Sequence, residues 1–200
     1  MVTLKAVLCP NFGLLLSDCL KKRVMIPTVL ARFQQNGGGS PDMEIFTVSF
    51  FGHRKVSQFS LVEERLEAVI LRLLEEKEYV EFLVGRSGEF DQLASSAVRR
   101  TKRTLRDDNS ALVLVLPYLT TEYRNNEDSF HDYYDEVEIC QSSAEAHFKA
   151  AMQIRNQAMV DRSHLVVCCI EHDSGGAYQT VQYARKQQKR IVNLADLSTQ

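Results

Sequence analysis

The chain has 200 residues, of which 44% are hydrophobic and 25% are charged, and this balance excludes wholesale disorder. Its formal net charge of −2 offers no strongly basic surface, so we expect nucleic acid to be an unlikely partner. Apolar stretches stay shorter than the roughly 18 residues of a membrane span, so we expect no membrane association.

Residues 1–42 differ from the rest of the chain. Their apolar stretch is interrupted by Lys5, Pro10 and Gly13, which argues against a secretory signal, and a glycine run at 37–39 precedes Met43. Glycine codons are purine-rich and lie here at ribosome-binding distance from Met43. We therefore expect 1–42 to be a disordered extension or a wrongly assigned start, and N-terminal sequencing of the native protein would decide between them.

From residue 43 onward, apolar runs that predict strands alternate with helical periodicity. The first predicted helix carries Leu66, Ile70 and Leu74 at helical spacing, with Ser57 or Ser60 as its cap. The predicted strands are Ile45–Phe50, Tyr79–Val84, Ala111–Leu116, Leu165–Ile170 and Arg190–Leu194, and the later helices are Phe90–Arg103, Ala144–Val160 and Ala177–Gln188. This order predicts an α/β protein over residues 43–196, a three-layer Rossmann-like fold with a mainly parallel sheet of about five strands.

Two segments have open interpretations. Residues 117–141 are rich in tyrosine and acidic residues, and they form either an ordinary surface loop or a lid whose rings stack on a base. A basic cluster over residues 99–106 is most simply a solvated helix end that complements the helix dipole.

The five cysteines lack the spacing of a disulfide framework or of a CxxC metal site. Cys168 and Cys169 lie inside an apolar run, where cysteine behaves as a small hydrophobic residue. We therefore expect reduced thiols and a cytoplasmic location, with no metal or other cofactor.

Three glycine-bearing turns each follow a predicted strand and precede helical sequence. They are Phe51–Arg54, Gly85–Gly88 and Ser174–Ala177. Such a turn presents free backbone N–H groups and the positive end of a helix dipole. The carboxyl ends of parallel strands share one edge of the sheet, so the turns would line a single crevice for an anionic, nucleotide-like ligand.

The last turn is the strongest candidate for phosphate binding. Gly175 and Gly176 let a phosphate approach the backbone without a Cβ in the way. Ser174 precedes them, and Thr180 adds a hydroxyl one helical turn later.

The first turn contains Gly52, His53 and Arg54. The guanidinium of Arg54 can bind a phosphate or carboxylate, and an imidazole such as that of His53 ordinarily titrates near neutrality. Its alternative is a surface turn with an idle histidine. Arg155 lies beside the inward-facing Met152, which is unusual for a solvated arginine, and we expect it to reach the crevice mouth.

The middle turn supplies Gly85, Ser87 and Gly88 together with Asp91 in the first turn of the next helix. Asp91 either favours the helix dipole or accepts hydrogen bonds from ribose hydroxyls. The sequence leaves these two roles open.

These motifs resemble the SLOG superfamily, a group of Rossmann-like domains that includes the LOG phosphoribohydrolases and DNA-processing protein A. The Phe-Gly-His-Arg start, the Gly85-x-x-Gly88-x-x-Asp91 turn and the Ser-Gly-Gly-x-x-x-Thr segment are most similar to its YpsA-like branch, a bacterial domain of uncertain function. The resemblance covers Glu44 to Leu194. LOG proteins are commonly dimers, so it also implies a possible homodimer.

In LOG enzymes an Arg-Lys-x-x-Met segment and a later glutamate cleave the N-glycosidic bond of a nucleoside 5′-monophosphate. Residues 155–159 match the first motif with Asn156 in place of Lys, whereas Tyr183 stands where the glutamate belongs. A carboxylate stabilises the cationic transition state and a phenol does not. Glu171 and Asp173 are the nearby carboxylates that would have to replace it.

The favoured hypothesis is a sensor that binds a nucleotide or nucleotide-derived ligand, with little or no catalysis. In it Gly175, Gly176 and Thr180 hold phosphate, which Arg54 and Arg155 neutralise while Asp91 contacts ribose. One alternative is a LOG-like phosphoribohydrolase, in which Arg155 would be catalytic. A second is a protein- or DNA-associated scaffold with a vestigial crevice.

Overall fold

A computed structural model describes residues 43–196 of the chain. The predicted extension over 1–42 lies outside this range. Within it, six parallel strands form one sheet in the order β4-β3-β2-β1-β5-β6, with helices on both faces. The three-layer Rossmann-like α/β architecture is thereby confirmed, with one strand more than predicted.

The helices and strands have the following bounds. The strands are β1 (Ile45–Gly52), β2 (Tyr79–Val84), β3 (Ser110–Leu116), β4 (Glu136–Ile139), β5 (Leu165–Cys169) and β6 (Arg190–Asn193). The helices are α1 (Phe59–Glu76), α2 (Glu89–Leu105), α3 (Thr121–Asn125), α4 (Glu127–Tyr133), α5 (Gln141–Ala144), α6 (Phe148–Arg162) and α7 (Gly175–Lys186).

The additional strand is β4, which lies in the segment predicted as a loop. It has only four residues, Glu-Val-Glu-Ile, and it pairs with β3 from Val113↔Glu136 to Leu116↔Ile139. Two acidic residues in four conceal the apolar signal of a strand, and an edge position tolerates them. The same segment contains α3 and α4, so residues 117–141 are an ordered crossover.

The order of the strands reverses at β1. Strands β2, β3 and β4 follow β1 on one side, while β5 and β6 lie on its other side. Because strand side chains alternate between faces, Phe50 packs with Leu66 of α1, whereas Val166 packs with Met159 of α6 and Val181 of α7. The carboxyl ends of β1 and β5 therefore form the switch point where open α/β sheets bind ligands.

The predicted cap of α1 is wrong. Gln58, in a left-handed conformation, is the N-cap and makes no side-chain capping bond. Ser57 instead donates its amide and its hydroxyl to the Glu171 carboxylate, at 3.0 and 2.8 Å. A carboxylate accepts these bonds more strongly than a neutral group would, so Ser57 ties the turn after β1 to the loop after β5.

The basic end of α2 is more than a solvated surface. Lys102 is only 4% exposed, and its ammonium donates to the Ser110 carbonyl and the Asp135 carboxylate at 3.0 and 2.5 Å. Arg100 pairs with Glu63 and Glu67 of α1. These contacts fix α2 against α1 and hold the start of β4 beside β3.

Candidate functional site

The three glycine turns meet at the carboxyl edge of the sheet. The His53 amide donates to the Cys169 carbonyl at 3.3 Å, which joins the first turn to the end of β5. The Glu89 amide donates to the Arg54 carbonyl at 3.0 Å, which joins the first turn to the start of α2. The first turn therefore contacts the start of α2 and the end of β5, and the third turn follows the loop after β5.

Two of the glycines allow this close approach. A Cβ on Gly52 would overlap the Phe90 ring, and a Cβ on Gly88 would lie 2.9 Å from Cα of Arg54. Both distances are shorter than packed side chains allow, so packing between the turns alone accounts for glycine at these positions. Contact of Gly52 and Gly88 with a ligand stays a prediction.

Gly175 and Gly176 have the opposite surroundings. No atom lies within 4 Å of a Cβ built on either residue, and Gly175 has a φ of +89°, a conformation that favours glycine. Ser174, the N-cap of α7, makes no side-chain bond to the helix, and its hydroxyl lies 2.9 Å from Nδ1 of His172. The first amides of α7 are thus open to an anion in this structure.

Thr180 is turned away from that opening. It is 4% exposed, its hydroxyl donates to the Gly176 carbonyl at 2.8 Å, and it accepts from the Asn156 amide at 3.0 Å. These bonds connect α7 to α6. A direct bond from Thr180 to phosphate stays a prediction.

Arg155 is the most unusual residue of the site, because it is 3% exposed and pairs with no carboxylate among residues 43–196. Its Nη2 and Nη1 atoms lie 2.8 Å and 3.4 Å from the sulfurs of Met152 and Met159, and its Nε atom has no hydrogen-bond partner in the described part of the chain. Burial lowers the pKa of the guanidinium, and Asp91 partly offsets that effect. A buried cation with soft sulfur neighbours is costly until an anion joins it.

Gly85 makes room for this guanidinium. A Cβ at that position would lie 2.6 Å from Nη1 of Arg155 and 3.2 Å from Oδ2 of Asp91. Asp91 accepts a hydrogen bond of 2.6 Å from the Ser87 amide. Burial raises the pKa of the Asp91 carboxyl, while the amides of the turn and the Arg155 charge act against that rise. Asp91 closes the turn, and a contact with ribose stays a prediction.

Two imidazoles stack at the switch point between β1 and β5. The ring centroids of His53 and His172 are 3.7 Å apart, with planes 17° from parallel, and the His172 amide donates to Nε2 of His53 at 3.4 Å. Burial and then the neighbouring His172 lower the pKa of His53, against the opposing effect of Glu171. His53 therefore lies within the crevice, in contact with the loop after β5, and Arg54 beside it is exposed and unpaired among the residues described.

Cys140, which follows β4, is a residue of this edge to which the sequence pattern assigned no role. Burial raises the pKa of its thiol, but hydrogen bonds with Ser142 and Ser143 and the charge of Arg155 together lower it. Only the overlooked strand β4 places this residue at the carboxyl edge. The position of Cys140 would have been predicted only if Glu136–Ile139 had been recognised as a strand.

Two of the four tyrosines in the segment proposed as a lid, Tyr123 and Tyr134, lie in the core. Tyr123 and Tyr134 are 8% and 4% exposed, and they pack with Phe130.

Tyr183 donates its hydroxyl to Asp161 at 2.8 Å. Within residues 43–196, no cluster of His, Cys, Asp and Glu is arranged to hold a metal ion, and no helix is long and apolar enough to cross a membrane.

No protein-family model matches the chain, and no curated protein matches it. Among solved structures, DNA processing protein A from Streptococcus pneumoniae is 16% identical with a TM-score of 0.54, covering 74% of this chain and 49% of its own. The DNA processing protein A of Helicobacter pylori is 14% identical with a TM-score of 0.51, covering 73% of this chain and 63% of its own. This chain has a Rossmann-like fold similar to that of DNA processing protein A.

A third structure, the molybdenum cofactor carrier protein from Chlamydomonas reinhardtii, is 16% identical at a TM-score of 0.47 and covers 75% of this chain. The chain spans about half the length of the first protein and less than two thirds of the second. The similarity therefore concerns part of each DNA processing protein A.

The expectation that nucleic acid is an unlikely partner is wrong. The H. pylori protein, which shares this fold, binds single-stranded DNA. The expectation rested on a net charge of −2, and net charge does not describe the local arrangement of cations at one edge of a sheet.

Proposed function

We propose that this protein binds a nucleotide, either free or as one unit of a single-stranded nucleic acid, in the crevice at the carboxyl edge of the sheet. The observation that carries this proposal is Arg155, a buried guanidinium that has no ion pair, and no partner for its Nε atom, within residues 43–196. A phosphate oxygen would give that nitrogen an acceptor and would offset the buried charge.

Two further cationic features support an anionic ligand. The first amides of α7 lie open beside Gly175 and Gly176, and the dipole of a helix favours an anion at this end. The exposed side chain of Arg54 makes no ion pair within the described part of the chain. In the proposed complex Gly175, Gly176 and Ser174 surround a phosphate, and Arg54 and Arg155 neutralise it.

The surroundings of the carboxylates favour binding over cleavage. Glu171 accepts both hydrogen bonds of Ser57, and Asp91 accepts the Ser87 amide. Tyr183, at the position of the catalytic glutamate in LOG enzymes, donates to Asp161. Cleavage of an N-glycosidic bond needs a carboxylate that is free to face the developing cation, so we rank this alternative below ligand binding.

The finer assignments belong to the same proposal. We place the chain in the YpsA-like branch of the SLOG superfamily on the motifs at residues 51–54, 85–91 and 174–180. We also propose that residues 43–196 form the ligand-binding domain. Single-stranded DNA enters as a ligand class because the H. pylori neighbour binds it.

Thermal unfolding of the full chain tests the proposal. The probes are AMP, ADP, ribose 5-phosphate, inorganic phosphate and a short dT oligonucleotide. A ligand at one hundred times its Kd adds about 2.7 kcal/mol of stability, which raises the midpoint by roughly 5–10 °C for a protein of this size. We expect such a shift for at least one nucleotide-containing probe.

Gly176→Val is the matched variant. Its Cβ meets no atom within 4 Å and its φ is not in the left-handed region, so the fold accommodates the valine while the side chain covers the first amides of α7. Gly175→Val is unsuitable, because a φ of +89° strains any side chain. A shift that Gly176→Val reduces supports the proposal. No shift with any probe contradicts it and favours the scaffold alternative.

A further inference from the structure

An exposed phenylalanine at the start of α6 packs against a half-buried tyrosine that follows β3. Phe148 is 72% exposed, and its ring lies 5.7 Å from that of Tyr118, centroid to centroid, at an interplanar angle of 48°. Tyr118 follows the carboxyl end of β3, so the pair belongs to the edge of the sheet that carries the crevice. An aromatic ring this exposed beside a second ring is a typical binding surface.

The same face of α6 leads from this pair to the buried arginine. Phe148, Met152 and Arg155 have the i, i+4, i+7 spacing of one helix face. The Met152 sulfur contacts Nη2 of Arg155 at 2.8 Å and accepts the Ser87 hydroxyl at 3.7 Å. Met152 therefore lies between Phe148 and the guanidinium along the helix, and at 1.5 Å of rise per residue Phe148 and Arg155 are about 10 Å apart along the axis.

We infer that Phe148 and Tyr118 are a stacking platform for the base of the nucleotide whose phosphate Arg155 binds. The inference rests on the proposed function. A nucleotide carries a planar apolar base and an anionic phosphate on opposite sides of a sugar, which matches an aromatic pair and a cation separated along one helix face. The flexible thioether of Met152 is displaced from Nη2 when the phosphate arrives.

The platform restricts the ligand to a base with a free face. Bases inside a duplex are covered on both faces by their neighbours, whereas a mononucleotide or a single strand offers a base for stacking. Stacking on an aromatic side chain depends little on base identity. The platform therefore selects a class of ligand, unpaired nucleotides, more than a particular base.

The test compares probes that differ only in the base. AMP is paired with ribose 5-phosphate, and a dT oligonucleotide is paired with an abasic oligonucleotide of equal length. Titration calorimetry of the full chain, Phe148→Ala and Leu105→Ala measures Kd. Leu105 is 44% exposed at the far end of α2, on the opposite edge of the sheet, so Leu105→Ala controls for loss of an exposed apolar side chain.

We expect Phe148→Ala to weaken binding of the base-containing probe roughly 5- to 100-fold, while binding of its base-free partner changes less than about twofold. Whether AMP or the oligonucleotide shows the effect identifies the source of the nucleotide. Equal affinity of wild type and Phe148→Ala for the base-containing probe overturns the inference and leaves the proposed function standing. The same holds if Phe148→Ala changes the oligomeric state of the protein but not its affinity for the probe. Failure of all four probes to bind wild type overturns both.

Discussion

The guanidinium of Arg155 occupies the space that a side chain at Gly85 would fill. A Cβ on Gly85 would lie 2.6 Å from Nη1 of Arg155. The turn after β2 and helix α6, which carries Arg155, therefore pack together only because residue 85 has no Cβ. Residues seventy positions apart in the sequence thereby determine where a buried cation stands.

Gly85→Ala is expected to displace the guanidinium of Arg155. Arg155 must move by several tenths of an ångström or more, which takes Nε and Nη out of their present positions against Met152 and Met159. Misplacing a charge-assisted contact weakens nucleotide binding by about tenfold or more. Titration calorimetry measures the change, and the unfolding midpoint without ligand shows whether the variant stays folded. A folded Gly85→Ala protein with wild-type affinity would contradict this account.

Arg155→Met is expected to stabilise the protein without ligand and to abolish nucleotide binding. Methionine fills a similar volume among Met152 and Met159 and removes an unpaired buried charge, a change worth about 1–3 kcal/mol in favour of the folded state. Chemical denaturation gives the free energy of unfolding. Arg103→Met, at an exposed position of α2, is the control and should leave stability unchanged. A less stable Arg155→Met protein would show that the arginine is structural.

His53 is expected to make stability depend on pH. Burial and the adjacent His172 lower its pKa from the ordinary value of 6.5, with Glu171 opposing them. The unfolded chain therefore binds a proton at a higher pH than the folded chain. The contribution of neutral His53 to the free energy of unfolding is fully present above the pKa of about 6.5 in the unfolded chain. It is lost as the pH falls through the lowered pKa of the folded chain.

Denaturation of wild type and His53→Gln at pH 7.5 and 5.5 measures this contribution. We expect the free energy of unfolding of wild type to fall more steeply than that of His53→Gln over this interval. Identical pH dependence in both proteins would show that the pKa of His53 is not lowered as described.

Cys140 is expected to react with iodoacetamide before Cys168 and Cys169 of β5. Burial raises the pKa of Cys168 to about 12 and that of Cys169 to about 11, whereas hydrogen bonds and Arg155 lower the pKa of Cys140. The thiolate is the reactive form, so peptide mass spectrometry after brief alkylation should find Cys140 modified first. A bound nucleotide should slow the reaction, because its phosphate competes for the charge of Arg155. Equal labelling of Cys140 and of the peptide that carries Cys168 and Cys169 would refute this.

Much of the fold was predictable, because its central strands are long and apolar. β1, β3 and β5 form nearly continuous buried runs, and the glycines at the end of β1 and after β5 mark the turns at the carboxyl edge. The candidate phosphate site at Gly175 and Gly176 follows from that pattern alone. The parallel arrangement then places the three turns at one edge.

The remaining features depend on contacts that no local pattern encodes. β4 contains two glutamates in four residues, and Lys102 is buried because Asp135 reaches it across 33 positions. The placement of Arg155 depends on the missing Cβ of Gly85, and the exposure of Phe148 depends on where α6 begins. Sequence spacing indicated that Arg155 is unusual, but only the packed structure shows that it is buried near Asp91 without forming an ion pair within the described chain.

The most direct test of the central claim is a crystal structure of the full chain with the tightest-binding nucleotide probe. We predict a phosphate oxygen within hydrogen-bonding distance of Nε of Arg155, with Met152 displaced from Nη2 and a second phosphate contact at the first amides of α7. An ordered nucleotide elsewhere, with Arg155 still packed on Met152 and Met159 and its Nε unpartnered, would contradict the account.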